Sequence, residues 1–225
     1  MPTSSFDHVS SVMHIVERAQ PESILDVGIG FGKWGILCRE MLEAKHGRLQ
    51  PSEWRLRIDG IEIHEGYENP LWHLAYGHVF RGDATRLVDD LDHYDLIIVA
   101  DVIEHLDKDV GRELLHKLVQ WGTLVVVATP RAYVEQGELL GNVHEAHRSG
   151  WEVKDLAEFP HVYWDTGLTF VAAISSSESY LRSLGLAHPL RRIGLRTATR
   201  ELWRLGWEQI GVYLRAGLHL QAPDA

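Results

Sequence analysis

The chain has 225 residues, 45% of them hydrophobic and 24% charged, with a formal net charge of −10; this suits one sizeable core and excludes a surface built mainly for nucleic acid. A single cysteine, Cys38, excludes an internal disulfide and a cysteine-rich zinc site. No uncharged apolar run is long enough to span a bilayer, and the N-terminus lacks the basic stretch and continuous apolar run of a signal peptide, so a reducing, cytoplasmic setting is expected.

In chain order, residues 8–19 place Val9, Val12, Met13, Ile15 and Val16 near helical spacing, and Pro21 ends that helix. "SILDV" reads as a short buried strand, "KWGILCREMLEAKHG" as a helix closed by Gly47, and "LRIDGIEI" as a second strand. "YDLIIVA" and "GTLVVVATP" are further strands, separated by the helical "KDVGRELLHKLVQW". "EVKDLAEF" is expected as one more helix and "LTFVAAIS" as the last strand. Strand and helix alternate from residue 23 to about 175, the pattern of an α/β, doubly wound, mostly parallel sheet whose ligand lies beyond the carboxyl ends of the strands.

Charge divides the chain. Residues 1–175 sum to −13, whereas residues 176–225 hold seven arginines against four acids. The expected organisation is one catalytic-type domain over 1–175 and a basic, amphipathic helical tail over 176–225, joined through "SSSES" at 175–179. The tail suits either an anionic membrane surface or a pair of helices packed on the body or on a second copy in a homodimer.

The stretch "LDVGIGFGKWG" contains a literal GxGxxG from Gly30 to Gly35, the sign of a dinucleotide loop. Asp26 stands immediately before these glycines. If its side chain faced the ligand, a carboxylate about 4 Å from a pyrophosphate would cost about 4 kcal/mol at an effective dielectric near 20. A cationic ligand reverses that sign. The next acid at a strand end, Glu62, lies 30 residues beyond Gly32, further than the roughly 20 expected for a ribose-binding acid in a dinucleotide fold. A third acid, Asp83, follows in "RGDATRL".

With these residues in order, residues 8–175 resemble the class I S-adenosylmethionine-dependent methyltransferases. "LDVGIGFG" matches the acid-x-Gly-x-Gly-x-Gly motif with Asp26, Gly28, Gly30 and Gly32, "GIEI" supplies Glu62, "GDA" supplies Asp83, and "YDLIIVADVIEHL" matches the fourth-strand motif. The resemblance implies a Rossmann-like methyltransferase fold with S-adenosylmethionine as cofactor. It implies that the glycines lie against the methionine half and that Asp26 acts through the amino group or a water. Glu62 would accept from both ribose hydroxyls, Ile63 would pack on adenine, Asp83 and the Ala84 amide would read the adenine edge, and Asp101 would sit near the methionine.

Of the 14 histidines, three are candidates for chemistry. His105 follows the fourth strand in "IEHL", on the acceptor side in related enzymes. His144 and His147 lie in "GNVHEAHRSGW", within a long connection after the fifth strand of the kind that often forms a lid. His144, Glu145 and His147 are not an HExxH pair and no third ligand is evident, so no metal is expected. Either His105 or His147 is the expected general base for an oxygen acceptor, with Glu104 or Glu145 orienting it. The expected substrate is a small molecule or a sugar or glycan. The alternatives are a protein or RNA acceptor, although the acidic body speaks against RNA and the Asn-Pro-Pro-aromatic motif is absent, or a catalytically silent scaffold.

Overall fold

A computed structural model describes residues 4–139 and 141–186; the arginine-rich tail beyond them lies outside the described residues. The elements run α1 (Val9–Ala19), β1 (Ser23–Val27), α2 (Lys33–Leu42), β2 (Arg57–Glu62), α3 (Pro70–Ala75), β3 (His78–Arg81), α4 (Ala84–Leu87), β4 (Tyr94–Ala100), α5 (Lys108–Trp121), β5 (Gly122–Pro130), β6 (His161–Asp165), β7 (Thr169–Ile174) and α6 (Glu178–Ser183). All seven strands form one sheet in the order β3-β2-β1-β4-β5-β7-β6. The strands from β3 to β5 pair in parallel, while β7 runs antiparallel to both β5 and β6. The strand order reverses between β1 and β4, and there the tips of the two strands leave a crevice for a ligand.

Both faces of the central strands are covered, which explains their continuous apolar runs. Because side chains alternate along a strand, Ile24, Ile58, Leu96, Ile98, Leu124 and Val126 pack with α1 and α2 on one face. Leu25, Val27, Ile97, Val99, Val125 and Val127 pack with Leu114, Leu115 and Leu118 of α5 on the other.

Several expectations change. The helix expected over 152–159 is a single 3₁₀ turn, Val153–Leu156. Leu156 and Phe159 are buried and Pro160 follows at once, leaving no room for a longer helix. The helix expected over 33–47 ends at Leu42 and continues as a 3₁₀ turn that Gly47 closes with φ 79°. The edge strands β3 and β6 have half-exposed, mixed patterns and gave no sequence signal. Residues 175–179 are not a free connection. Ser175 Oγ donates to Thr123 O at 2.7 Å, Ser177 caps α6, and Leu181, Leu184 and Leu186 enter the core.

Candidate active site

The glycine loop after β1 is held from below. Gly28 N and Ile29 N donate to Ile61 O at 2.9 and 3.2 Å, Gly32 N to Ile29 O at 2.7 Å, and Gly30 N to Glu62 Oε2 at 2.9 Å. Four amides of the loop thus donate within the protein, and the Glu62 carboxylate stands against one of them, where a diphosphate would meet a like charge. Glycine is required at the first position: Gly28 has φ 73°, and a Cβ there would stand 2.5 Å from Val102 Cγ2. The close approach leaves open the floor of a cavity of about 510 Å³ above the strand tips.

Glu62, at the tip of β2, is only 5% exposed and lines this cavity. Its Oε1 accepts from His64 N at 2.9 Å and its Oε2 from Gly30 N, which fixes the carboxylate while leaving further lone pairs for a ligand. Burial raises its pKa, and these backbone donors oppose the rise. Ile63, Asp83 and Ala84 line the same cavity. Asp83 is the N-cap of α4: its Oδ1 accepts from Thr85 N at 2.9 Å and from Thr85 Oγ1 at 2.7 Å. Capping therefore occupies one oxygen and leaves the other.

Two residues of the glycine motif do not reach the cavity. Asp26 shares the face of β1 that carries Ile24, and its side chain points into the layer of α2 and α3 rather than toward a ligand. It is 1% exposed, Tyr76 Oη donates to its Oδ2 at 2.6 Å, and its Oδ1 has no partner among the described residues. Burial is the main reason that its pKa is pushed up to about 7; the Tyr76 bond opposes this and the Glu62 charge adds to it. The expectation of Asp26 beside the ligand is therefore corrected. Gly32 is the N-cap of α2 in a left-handed conformation and faces Tyr76 and Trp72. Gly28 and Gly30 do line the cavity.

Asp101, also on the wall, takes φ 54°, an uncommon conformation for a residue with a side chain. Its Oδ2 accepts from Ser5 N at 2.7 Å, and Lys33 Nζ donates to Ser4 O, so the N-terminal segment closes that end of the cavity.

The opposite wall is the turn after β4 and the long segment 131–150. Arg148 N and Ser149 N donate to Glu104 O at 2.8 and 3.1 Å, and Trp151 Nε1 donates to Ile103 O at 3.1 Å. Tyr67, which the sequence reading missed, ties the segment to the region after β2. Its hydroxyl donates to Glu145 Oε1 at 2.8 Å and accepts from Asn142 Nδ2 at 3.0 Å. Across this wall the rings of His105 and His147 lie 4.8 Å apart. Burial lowers the His105 pKa, and the neighbouring His147 lowers it further. Glu104 is 3% exposed, and burial, reinforced by the charge of Asp101, raises its pKa well above the carboxylate range. His144 does not join them. Val143–Glu145 is one 3₁₀ turn, so His144 and His147 share no helical face, and His144 is exposed at the cavity rim.

No protein-family model and no curated protein matches the sequence. Solved structures do match the fold. A SAM-dependent methyltransferase from Archaeoglobus fulgidus superposes with a TM-score of 0.52 at 15% identity, covering 73% of this chain and 90% of that one. An O-methyltransferase family protein from Burkholderia thailandensis gives 0.51 at 10% identity, covering 76% and 57%. The N-terminal domain of EvdMO1, in a structure with SAH and D-fucose, gives 0.51 at 14% identity, covering 76% and 83%. The chain thus has the Rossmann-like α/β fold of the class I S-adenosylmethionine-dependent methyltransferases.

Proposed function

We propose that this chain binds S-adenosylmethionine between Glu62, Asp83 and the glycine loop and transfers its methyl group to an oxygen of a small molecule or sugar. The observation that carries the reading is the Glu62 carboxylate at the glycine loop: its Oε2 accepts from Gly30 N, so the loop offers close backbone approach beside a negative charge, which suits a cationic ligand better than a diphosphate. In this reading Glu62 takes the ribose hydroxyls, Ile63 the adenine face, and Asp83 Oδ2 with the Ala84 amide the adenine edge. Gly28, Gly30 and Asp101 border the methionine half. The likeness of fold to an O-methyltransferase family protein, and to a domain crystallised with SAH and D-fucose, supports an oxygen acceptor and a sugar class.

Methyl transfer from a sulfonium is an in-line displacement, so alignment and exclusion of water do most of the work. The 131–150 wall and the N-terminal segment close the two ends of the cavity and serve that purpose. The proton of an oxygen acceptor leaves on the His105–His147 side. Calorimetry with S-adenosylhomocysteine and with NAD tests the cofactor. Binding of the first alone is expected, and binding of NAD alone would overturn the reading. Screening of extracts with labelled cofactor then identifies the acceptor. For residues 176–225 the favoured role is contact with the body or with a second copy. Liposome co-sedimentation of the full chain, compared with a chain ending at Leu186, separates this from membrane contact.

A further inference from the structure

Glu104 and His105 are consecutive in the turn after β4, and His147 enters from the end of the 131–150 segment. One ligand atom from each of the three lies within 4.8 Å of the others. Both imidazoles turn Nδ1 toward a backbone carbonyl, His105 toward Ala146 O at 3.3 Å and His147 toward Val134 O at 2.6 Å. A carbonyl can only accept, so Nδ1 carries the hydrogen and Nε2 remains as the bare lone pair of each ring. Carbonyls that fix the tautomer in this way are the usual outer support of metal-bound imidazoles. Glu104 adds an independent sign. Its Oε2 accepts from Thr129 Oγ1 at 3.0 Å, but its buried Oε1 has no hydrogen-bond partner among the described residues, with the Asp101 carboxylate as the neighbouring charge. All three side chains line the cavity. Two bare imidazole nitrogens and a buried carboxyl group thus meet at one wall with no hydrogen bond among the three.

We propose that Glu104, His105 and His147 bind a divalent first-row transition ion, such as Mn²⁺, Co²⁺ or Zn²⁺, on the acceptor side of the cavity. Two nitrogens and one oxygen favour such an ion over Mg²⁺ or Ca²⁺, which take oxygen ligands. Three protein ligands leave coordination positions open to the cavity. The role of the ion rests on the methyl-transfer reading above. An acceptor hydroxyl entering an open position is acidified by the cation and gives its proton to water. The oxygen then forms a bond to the methyl carbon as the carbon–sulfur bond breaks, and that electron pair returns to sulfur, leaving an ether and a neutral thioether. The two histidines then act through the ion instead of taking the proton themselves.

The test uses the full chain, stripped with a chelator and titrated with Mn²⁺. The electron paramagnetic resonance of free Mn²⁺ reports binding, and Co²⁺ absorption reports the ligand type. S-Adenosylhomocysteine affinity is measured separately by calorimetry. The expected result is loss of the free Mn²⁺ signal until one equivalent is bound. Glu104→Gln and His147→Ala abolish this, while His144→Ala, three residues away and outside the cluster, retains it. Glutamine keeps the size of Glu104 and still accepts from Thr129, and circular dichroism confirms folding. Because His147 is on a surface segment, its variant remains informative even if Glu104→Gln unfolds. A folded wild-type chain that binds no stoichiometric Mn²⁺ or Co²⁺, or binding unchanged in His147→Ala, overturns the proposal. Ion binding without S-adenosylhomocysteine binding would refute the transfer reading alone, and the converse would refute the ion site alone.

Discussion

Replacing Asp26 by asparagine separates the two roles that this residue has been given. In the folded chain its carboxyl is almost wholly buried and its pKa is raised from 3.8 to about 7. A raised carboxyl pKa favours the fold while the group is protonated, in acid, and that contribution is lost as pH climbs from the unfolded value through the folded one. Integrated over the whole interval the loss is about 4 kcal/mol, of which about 2–3 kcal/mol falls between pH 5 and pH 8. Asparagine is neutral throughout and its Oδ1 still accepts from Tyr76 Oη, but its amide NH₂ enters the place where Oδ1 now lacks a partner. That unsatisfied donor costs about 1–3 kcal/mol at every pH. Asp26→Asn should therefore match wild type to within about 1 kcal/mol at pH 5 and be about 1–3 kcal/mol more stable at pH 8. Urea unfolding of both chains across this range, at constant m-value, reads the difference directly. A stability difference independent of pH would refute the buried-carboxyl account. Because the side chain is off the cavity wall, S-adenosylhomocysteine affinity should change far less than in a Glu62 variant. A loss as large as that of Glu62→Gln would put Asp26 back beside the ligand.

Glu62→Gln places an NH₂ group against Gly30 N or His64 N, donor facing donor, and should weaken S-adenosylhomocysteine binding about 10–100-fold in calorimetry. Gly28→Ala meets Val102 Cγ2 at 2.5 Å and requires a residue with a side chain at φ 73°. A loss of about 2–4 kcal/mol is expected in urea unfolding, and adding Val102→Ala should recover only the steric part. Trp151 is 1% exposed, donates to Ile103 O and to Ser149 Oγ, and fills the space above Gly111. Trp151→Ala should cost about 3–5 kcal/mol in urea unfolding, with the cavity it leaves as the main cause.

Local periodicity and spacing made much of this molecule legible. The five interior strands β1, β2, β4, β5 and β7 announced themselves because strands covered on both faces are continuously apolar. The half-exposed edges β3 and β6 did not, since His78–Arg81 and His161–Asp165 mix polar and aromatic residues with no strong pattern. Gly28, Gly30 and Glu62 were recognisable as residues following strands, and Ile63, Asp83 and Ala84 entered through the family resemblance; all six line the cavity. Tyr67 and Asn142 carried no local signal, because their roles exist only through hydrogen bonds made between distant segments.

The sequence by itself determined which residues stand at the carboxyl ends of the strands, because the order of elements and the right-handed crossovers of a parallel sheet leave little choice. It also determined that Ile24 and Asp26 share one face of β1, because side chains alternate. Only the tertiary structure decided that this face looks into the layer of α2 and α3, where Tyr76 receives Asp26, and not toward a ligand. It alone brought His147 to His105, 42 positions earlier in the numbering, and left His144 at the rim. Which of two closely spaced histidines meets a partner is set by the anchoring of the segment, here by Tyr67, Glu104 O and Trp151. Those anchors are long-range contacts that no periodicity within the segment encodes.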